Sequence, residues 1–286
     1  MRFALSSTLQ RNPPPGQTVV YQDNKVKTVR PRATAYSIYD PKKYEWSAWK
    51  ALEIPDLPRF KNAGAGCVQR FDLPNGDILL PIYFKEPSQS QYAVTVLLCK
   101  FDGEKLTYAR HGSELTVPVK RGLYEPSVTS FDGRYFFTMR NDDHGYISVS
   151  DDGLNYSEPK QWTFDDDSNL GSYNTQQHWV THDQGLFLVY TRNGAGNDHV
   201  FRHRAPLFIA RVDPEKLQII RATEQILVPE KGARLGNFGV TEISPRETWV
   251  TVTEWMQTKG RNWNDSSIPA SYGSDNRVWI AKLRWN

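Results

Sequence analysis

The sequence predicts an all-β chain built from a repeated antiparallel unit, on three observations. Apolar residues alternate with period two in short runs such as ILLPIYF, YAVTVLLC, YFFTMR, LFLVYTR, TWVTVTEW and VWIAKLRW. Gly, Pro, Asp or Asn bounds most of these runs, and no amphipathic helix of ten or more residues is legible. The hairpins also recur in order: GCVQRFDLPNGDILLPIYFK, EPSVTSFDGRYFFTMRN, QQHWVTHDQGLFLVYTRN and NFGVTEISPRETWVTVTEW each open a unit, and a second hairpin follows each time. Four strands per unit of roughly 45–60 residues is the mark of β-propeller blades.

The blades fall at about 62–118, 122–165, 172–229 and 233–286. Residues 28–53 read as the second hairpin of an earlier, partial blade. About four and a half blades are thus expected in one domain spanning 1–286. An unclosed ring leaves a sheet edge exposed, so either residues 1–27 complete the ring or, the reading favoured, the chain is part of a longer propeller. Ser150–Tyr156, SDDGLNY, has the residues of a compact Asp-box turn, in which Ser and Asp bond the backbone and an aromatic plugs the space between sheets.

Composition narrows the function. The 286 residues are 38% hydrophobic and 13% aromatic, with nine Trp, which suits sheet packing and also stacking on sugar rings. The net charge is +3 with no Lys/Arg-rich run, so nothing argues for a nucleic-acid surface. Two cysteines, Cys67 and Cys99, supply neither a disulfide framework nor a zinc site and read as buried small hydrophobes. No metal or other cofactor is called for; His199 and His203 in GNDHVFRHRAP match no metal-ligand triad. No apolar run approaches about 20 residues, the length of a membrane-spanning helix. The opening MRFALSSTLQRNPPPG has too short an apolar core for a secretory signal. Compartment and oligomeric state stay open.

A hairpin returns to the rim where it began, so one rim collects the starts of first strands, the ends of second strands and the loops that follow them. Two of these loops are long, 193–205 and 256–276, whereas the turns inside hairpins are short; long loops are the functional ones more often than short ones. That rim carries Glu125, Gln176, Gln177, His178, Asn237, Lys85, Arg140, Asn141, Asp142, Arg192 and Glu254, with Asp198, His199, Arg202, His203, Arg204, Tyr272, Asn276 and Arg277 in its loops. Such convergence makes a ligand pocket. Glu125, His178 and Glu254 are expected catalytic groups, since Glu and His serve as general acids or bases. Arg140, Asp142, Gln177, Arg192, Arg204 and Arg277 are the expected binding groups, since a guanidinium pairs with a carboxylate through two bonds.

The segment YEPSVTSFDGRYFFTMR resembles the sialidase superfamily, in which an inner strand opens with Glu and the next strand closes with Arg. Glu125, Val128, Asp132-Gly133 and Arg140 carry that match, one residue shorter than usual. The resemblance implies a six-bladed propeller and a glycosidase acting on an anionic glycan, with sialic acid, uronic acid or a sulfated sugar as substrate. It implies that Glu125 activates a tyrosine nucleophile, that Arg140 belongs to an arginine trio holding the substrate carboxylate, and that Arg204, with Arg202 as alternate, is a second member. The expected tyrosine position reads Asn237-Phe238, and Tyr272 is the nearest alternative. The reading of the residues leaves a second class open, a non-catalytic propeller that binds glycan or protein. A five-bladed glycosidase or phosphorylase with an acidic triad ranks third, because only Glu125 of such a triad is found.

Overall fold

A computed structural model describes residues 33–286, together with the backbone of three upstream strands, Arg2–Ser6, Tyr21–Gln22 and Lys25–Val26. Among the described residues, five antiparallel sheets of three or more strands follow one another along the chain, besides the two-stranded pair of Tyr21–Gln22 and Lys25–Val26; the first is built on Arg2–Ser6, Ala35–Asp40, Glu45–Trp46 and Lys50–Ala51. The second is built on Ile78–Phe84, Ala93–Phe101 and Leu106–His111; the third on Tyr124–Phe131, Arg134–Arg140, Gly145–Ser150 and Lys160–Gln161. The fourth holds His178–His182, Gly185–Tyr190, Leu207–Asp213, Gln218–Ile219 and Gln225–Val228; the fifth has three strands, Gly239–Ser244, Glu247–Thr253 and Val278–Arg284.

The residue patterns explain why these sheets stack as blades. Ile78, Leu80, Ile82 and Phe84 pack toward Tyr36 and Ile38 of the first sheet. Their alternate neighbours Leu79 and Tyr83 pack toward Val128, Phe137 and Met139 of the third. Phe136 and Ile147 meet Leu186, Leu188 and Tyr190 of the fourth, whose other face sends Val189, Leu207 and Ile209 against Val250 and Val252 of the fifth. Strands sandwiched on both sides read as continuous apolar runs, as ILLPIYF and LFLVY do. The fifth sheet differs: its outer strand alternates strictly, and Val278 and Ile280 stand 68% and 48% exposed.

The inner strands gather around one axis. Gln69 forms a parallel bridge with Ser127, and its side chain bonds both the N–H and the carbonyl of Trp179, at 2.7 and 2.9 Å. Thr129 and Thr181 hydroxyls meet at 2.7 Å, and Gln176 donates to the Phe238 carbonyl at 2.5 Å. This is a β-propeller of five small blades.

Two expectations need correction. The first blade is more than half a blade, because Arg2–Ser6 pairs in register with Ala35–Asp40, beside Glu45–Trp46 and Lys50–Ala51; residues 28–32 lie outside the described residues. The polar, proline-rich text between these two strands hides the pairing from a local reading. Cys99 is buried as expected, but Cys67 is exposed, at a positive φ of 56° on the loop that leads to the second sheet's inner edge. No helix among the described residues is long and apolar enough to cross a membrane.

Because Phe136 is sealed between two blades and Ile280 faces outward, their truncations separate. Phe136→Ala should cost about 3–5 kcal/mol of unfolding free energy, and Ile280→Ala less than about 0.5 kcal/mol; urea midpoints at unchanged slope measure both.

Candidate functional site

The third blade opens with a kink. Asp132 and Gly133 both take positive φ, as the tight turn between two twisted strands demands. At the other end of the hairpin Tyr124 pairs with Arg140 and Ser127 with Thr138, so Glu125 and Pro126 together oppose Met139 alone. This bulge puts Glu125 at φ 46°. A non-glycine residue there costs about 1–3 kcal/mol, a strain that clusters at working sites. The bulge turns the Glu125 carboxylate toward Arg140, and the two form an ion pair.

Arg140 is the hub. Its guanidinium is 7% exposed, lies 4.6 Å over the Tyr124 ring, and donates to Glu125 and to the Asn174 side chain, while its Nε finds no partner among the described residues. The Asn174 carbonyl in turn accepts from Arg204 through Nε, at 3.1 Å, and Nη2. Asn174 is itself placed by the Asn141 carbonyl, at 2.8 Å. Arg204 is 3% exposed. A Cβ at Gly236 would lie 2.7 Å from its Nη1, so only glycine lets the fifth blade approach this closely.

A third guanidinium completes the group. Arg234 is 5% exposed, stacks 3.4 Å over Trp255, and has an unpartnered Nε. Burial and neighbouring cations, Arg140 among them in both cases, push Arg204 down to about 9 and Arg234 to about 10. Four arginines, 140, 202, 204 and 234, thus share one neighbourhood in which Glu125 pairs with Arg140, while Asp142 beneath Arg140 is already taken by Arg121. Such crowding of like charge is unfavourable unless an anion joins it.

Beside this group lies a cavity of about 250 Å³ lined by Cys67, Gln69, Gln176, His178, Asn237 and Phe238. His178 is buried; its Nδ1 meets Ser127 Oγ at 2.7 Å and its Nε2 meets Gln176 Nε2 at 3.0 Å. Burial pushes its pKa down to about 4, so the ring is neutral over the physiological range. The Gln176 carbonyl oxygen has no partner among the described residues.

The remaining expected residues are placed as follows. Asp142 holds Arg121 through two bonds of 2.7 Å and accepts from Tyr124 at 2.5 Å, beneath Arg140. Gln177 is fully engaged with Thr138 and Ser172. Arg192 forks onto Glu224, at 2.8 and 2.7 Å, outside the arginine group. Glu254 accepts the N–H groups of Asp275 and Arg277 and the Trp279 indole, which hold its carboxyl below the usual range although burial opposes this. Arg277 pairs with Asp275 in solvent. Tyr272 is half exposed and stacks on His199, 4.3 Å between rings, with no contact to Glu125 or Arg140 among the described residues. The structure therefore unites Glu125, Arg140 and Arg204, with Asp142 and His178 next to them, and leaves Gln177, Arg192, Glu254, Tyr272 and Arg277 in separate bonds.

Sequence reasoning passed over Arg234, Asn174 and Arg121. Arg234 had a signal, since it precedes the mouth of the last inner strand as the other rim residues do. Asn174 acts half through its backbone carbonyl, which no side-chain pattern reveals.

No family model matches the chain, and no curated protein matches it by sequence. Solved structures do. The sialidase of Trypanosoma rangeli in complex with sialic acid superposes with a TM-score of 0.52 at 13% identity, covering 91% of this chain and 41% of the sialidase. The K499G mutant of NanB sialidase from Streptococcus pneumoniae gives 0.57 at 16% identity, covering 93% and 38%. The fold is that of a divergent sialidase-like β-propeller, and the chain spans about two fifths of the length of the sialidases it matches.

Arg121 and Tyr124 hold the Asp142 carboxyl at about 2, below its ordinary value, against the pull of burial. A depressed carboxylate stabilises the fold above the unfolded pKa of about 3.9, and that stability drains away as pH falls toward about 2. Asp142→Asn should therefore flatten the acid limb of stability between about pH 5 and 2, as thermal midpoints across that range will report.

Proposed function

We propose that this chain is a glycoside hydrolase-like propeller that binds an anionic glycan through a carboxylate or sulfate held by Arg140, Arg204 and Arg234. The observation that carries the reading is the excess of buried guanidinium over carboxylate at the propeller mouth, with the Nε of Arg140 and of Arg234 lacking a partner among the described residues. A carboxylate offers two oxygens in the geometry that guanidinium forks match, and such bonds are the strong ones. The T. rangeli protein of the same fold was solved with sialic acid, which supports an acidic sugar as ligand. In this reading the five blades form one domain over 1–286 and belong to a six-bladed ring of the sialidase kind.

Within this reading Glu125 is the catalytic carboxylate. Its pairing with Arg140 and its strained backbone suit a group held in one orientation. Asp142 and Gln177 act behind the site, on Tyr124 and Thr138. His178, neutral and bonded at both nitrogens, serves as polar lining. Glu254 and Arg277 brace the last blade, Arg192 the fourth, and Tyr272 the loop that follows.

One observation favours a second reading, a non-catalytic glycan- or protein-binding propeller. Asn237 and Phe238 stand where the resemblance expects a tyrosine, and the carboxyls of Glu125, Asp142 and Glu254 are all engaged.

Binding separates the clamp from the scaffold. Arg234→Gln should weaken retention of N-acetylneuraminic or glucuronic acid tenfold or more, the value of one charge-assisted contact, at an unchanged unfolding midpoint; calorimetric titration measures it, and unchanged affinity would remove Arg234 from the clamp. Glu125→Gln should lower kcat far more than affinity, whereas equal losses would mark the pair as structural.

A further inference from the structure

Beside the arginine group the loop 193–205 builds a hydrogen-bonded chain that the site so far leaves unused. The Tyr173 hydroxyl lies 2.5 Å from His203 Nδ1, and His203 Nε2 lies 3.1 Å from Asp198 Oδ1. A carboxylate only accepts, so Nε2 carries the ring proton and Nδ1 accepts from the phenol. Oxygen acid, imidazole and carboxylate thus stand in the order in which a proton is handed inward.

The chain is built at a cost. Arg202 and His203 both take positive φ, 59° and 51°, each worth about 1–3 kcal/mol of strain. Asn197, 1% exposed, holds the loop in that form by donating to the carbonyls of Arg192 and Ala205, at 2.9 and 2.6 Å. Tyr173 precedes Asn174, the residue that joins Arg140 to Arg204, and it feels the charges of Arg202, Arg204 and Asp198. Tyr173 itself is half-buried. Lys259 also donates to the Asp198 backbone carbonyl.

We propose that Tyr173, backed by His203 and Asp198, is the proton relay of this site. The inference rests on the anionic-glycan reading above. With the sugar carboxylate on the arginines, the oxygen of a water bonds to the anomeric carbon as the C–O bond to the aglycone breaks, its electron pair leaving on the aglycone oxygen. The water proton moves to the Tyr173 oxygen while the phenolic proton passes to His203 Nδ1. Asp198 stabilises the imidazolium. The aglycone oxyanion takes a proton from solvent, and the imidazolium proton neutralises the hydroxide so formed. Tyr173 is a second catalytic residue beside Glu125, the one that takes the water proton; His203 and Asp198 act through it.

The test uses the whole chain with aryl glycosides of N-acetylneuraminic and glucuronic acid for turnover, and the free acids for calorimetric binding. Tyr173→Phe should bind the free acid within about twofold of the parent and lose about a hundredfold or more in kcat, the usual worth of a positioned proton acceptor. His203→Gln should lose a similar factor in kcat at a KM within about twofold of the parent, and Asp198→Asn a smaller factor in kcat alone, whereas a merely structural role would move KM and the unfolding midpoint as well. A Tyr173→Phe protein that keeps more than a tenth of parental kcat overturns the relay. If the parent binds the acids but cleaves no glycoside of the panel, the relay falls while the clamp stands. If the parent binds no acid, the clamp itself fails, and the relay loses its place with it.

Discussion

The constraint on which the site depends is the burial of two guanidinium groups against one asparagine. Arg140 donates to the Asn174 side chain and Arg204 to its backbone carbonyl. Both cations are nearly removed from water, and Glu125 pairs with only one of them, Arg140. Charges so placed are expensive, and a fold tolerates them where hydrogen bonds fix them and a counter-charge is to come. The bulge at Glu125, the glycine at 236 and the ring of Tyr124 beneath Arg140 all serve that placement.

The propeller supplies the rigidity that such a placement needs. Each sheet from the second to the fourth is packed on both faces, so its strands have little freedom to shift. Close-packed blades carry polar ends to a common axis, where Gln69, Ser127, Gln176 and His178 interlock through their side chains. Precision at the mouth is thus inherited from apolar alternation far from it.

Much of this was legible beforehand. Period-two runs and recurring hairpins revealed the blades, and a hairpin's return to its own rim puts Glu125 and Arg140 at one mouth, where they form an ion pair. The first blade was misjudged because Arg2–Ser6 pairs across some thirty residues with no local pattern. Glu254 looked like a catalytic group and Arg192 like a binding group because rim position alone does not say which partner a charge will choose. Backbone N–H groups claimed the one and Glu224 the other.

By itself the sequence determined the class of fold, since the alternation of apolar residues and the turn residues between them dictate which surfaces must be hidden. It also determined the pairing within one hairpin, because a two-residue turn leaves no choice of register. Only the tertiary structure decided which charges share a neighbourhood. Arg140, Arg204 and Arg234 sit on three different blades, and Tyr173, His203 and Asp198 meet through a loop held by Asn197. Such meetings depend on packing between distant segments and on backbone carbonyls, which no one-dimensional pattern encodes.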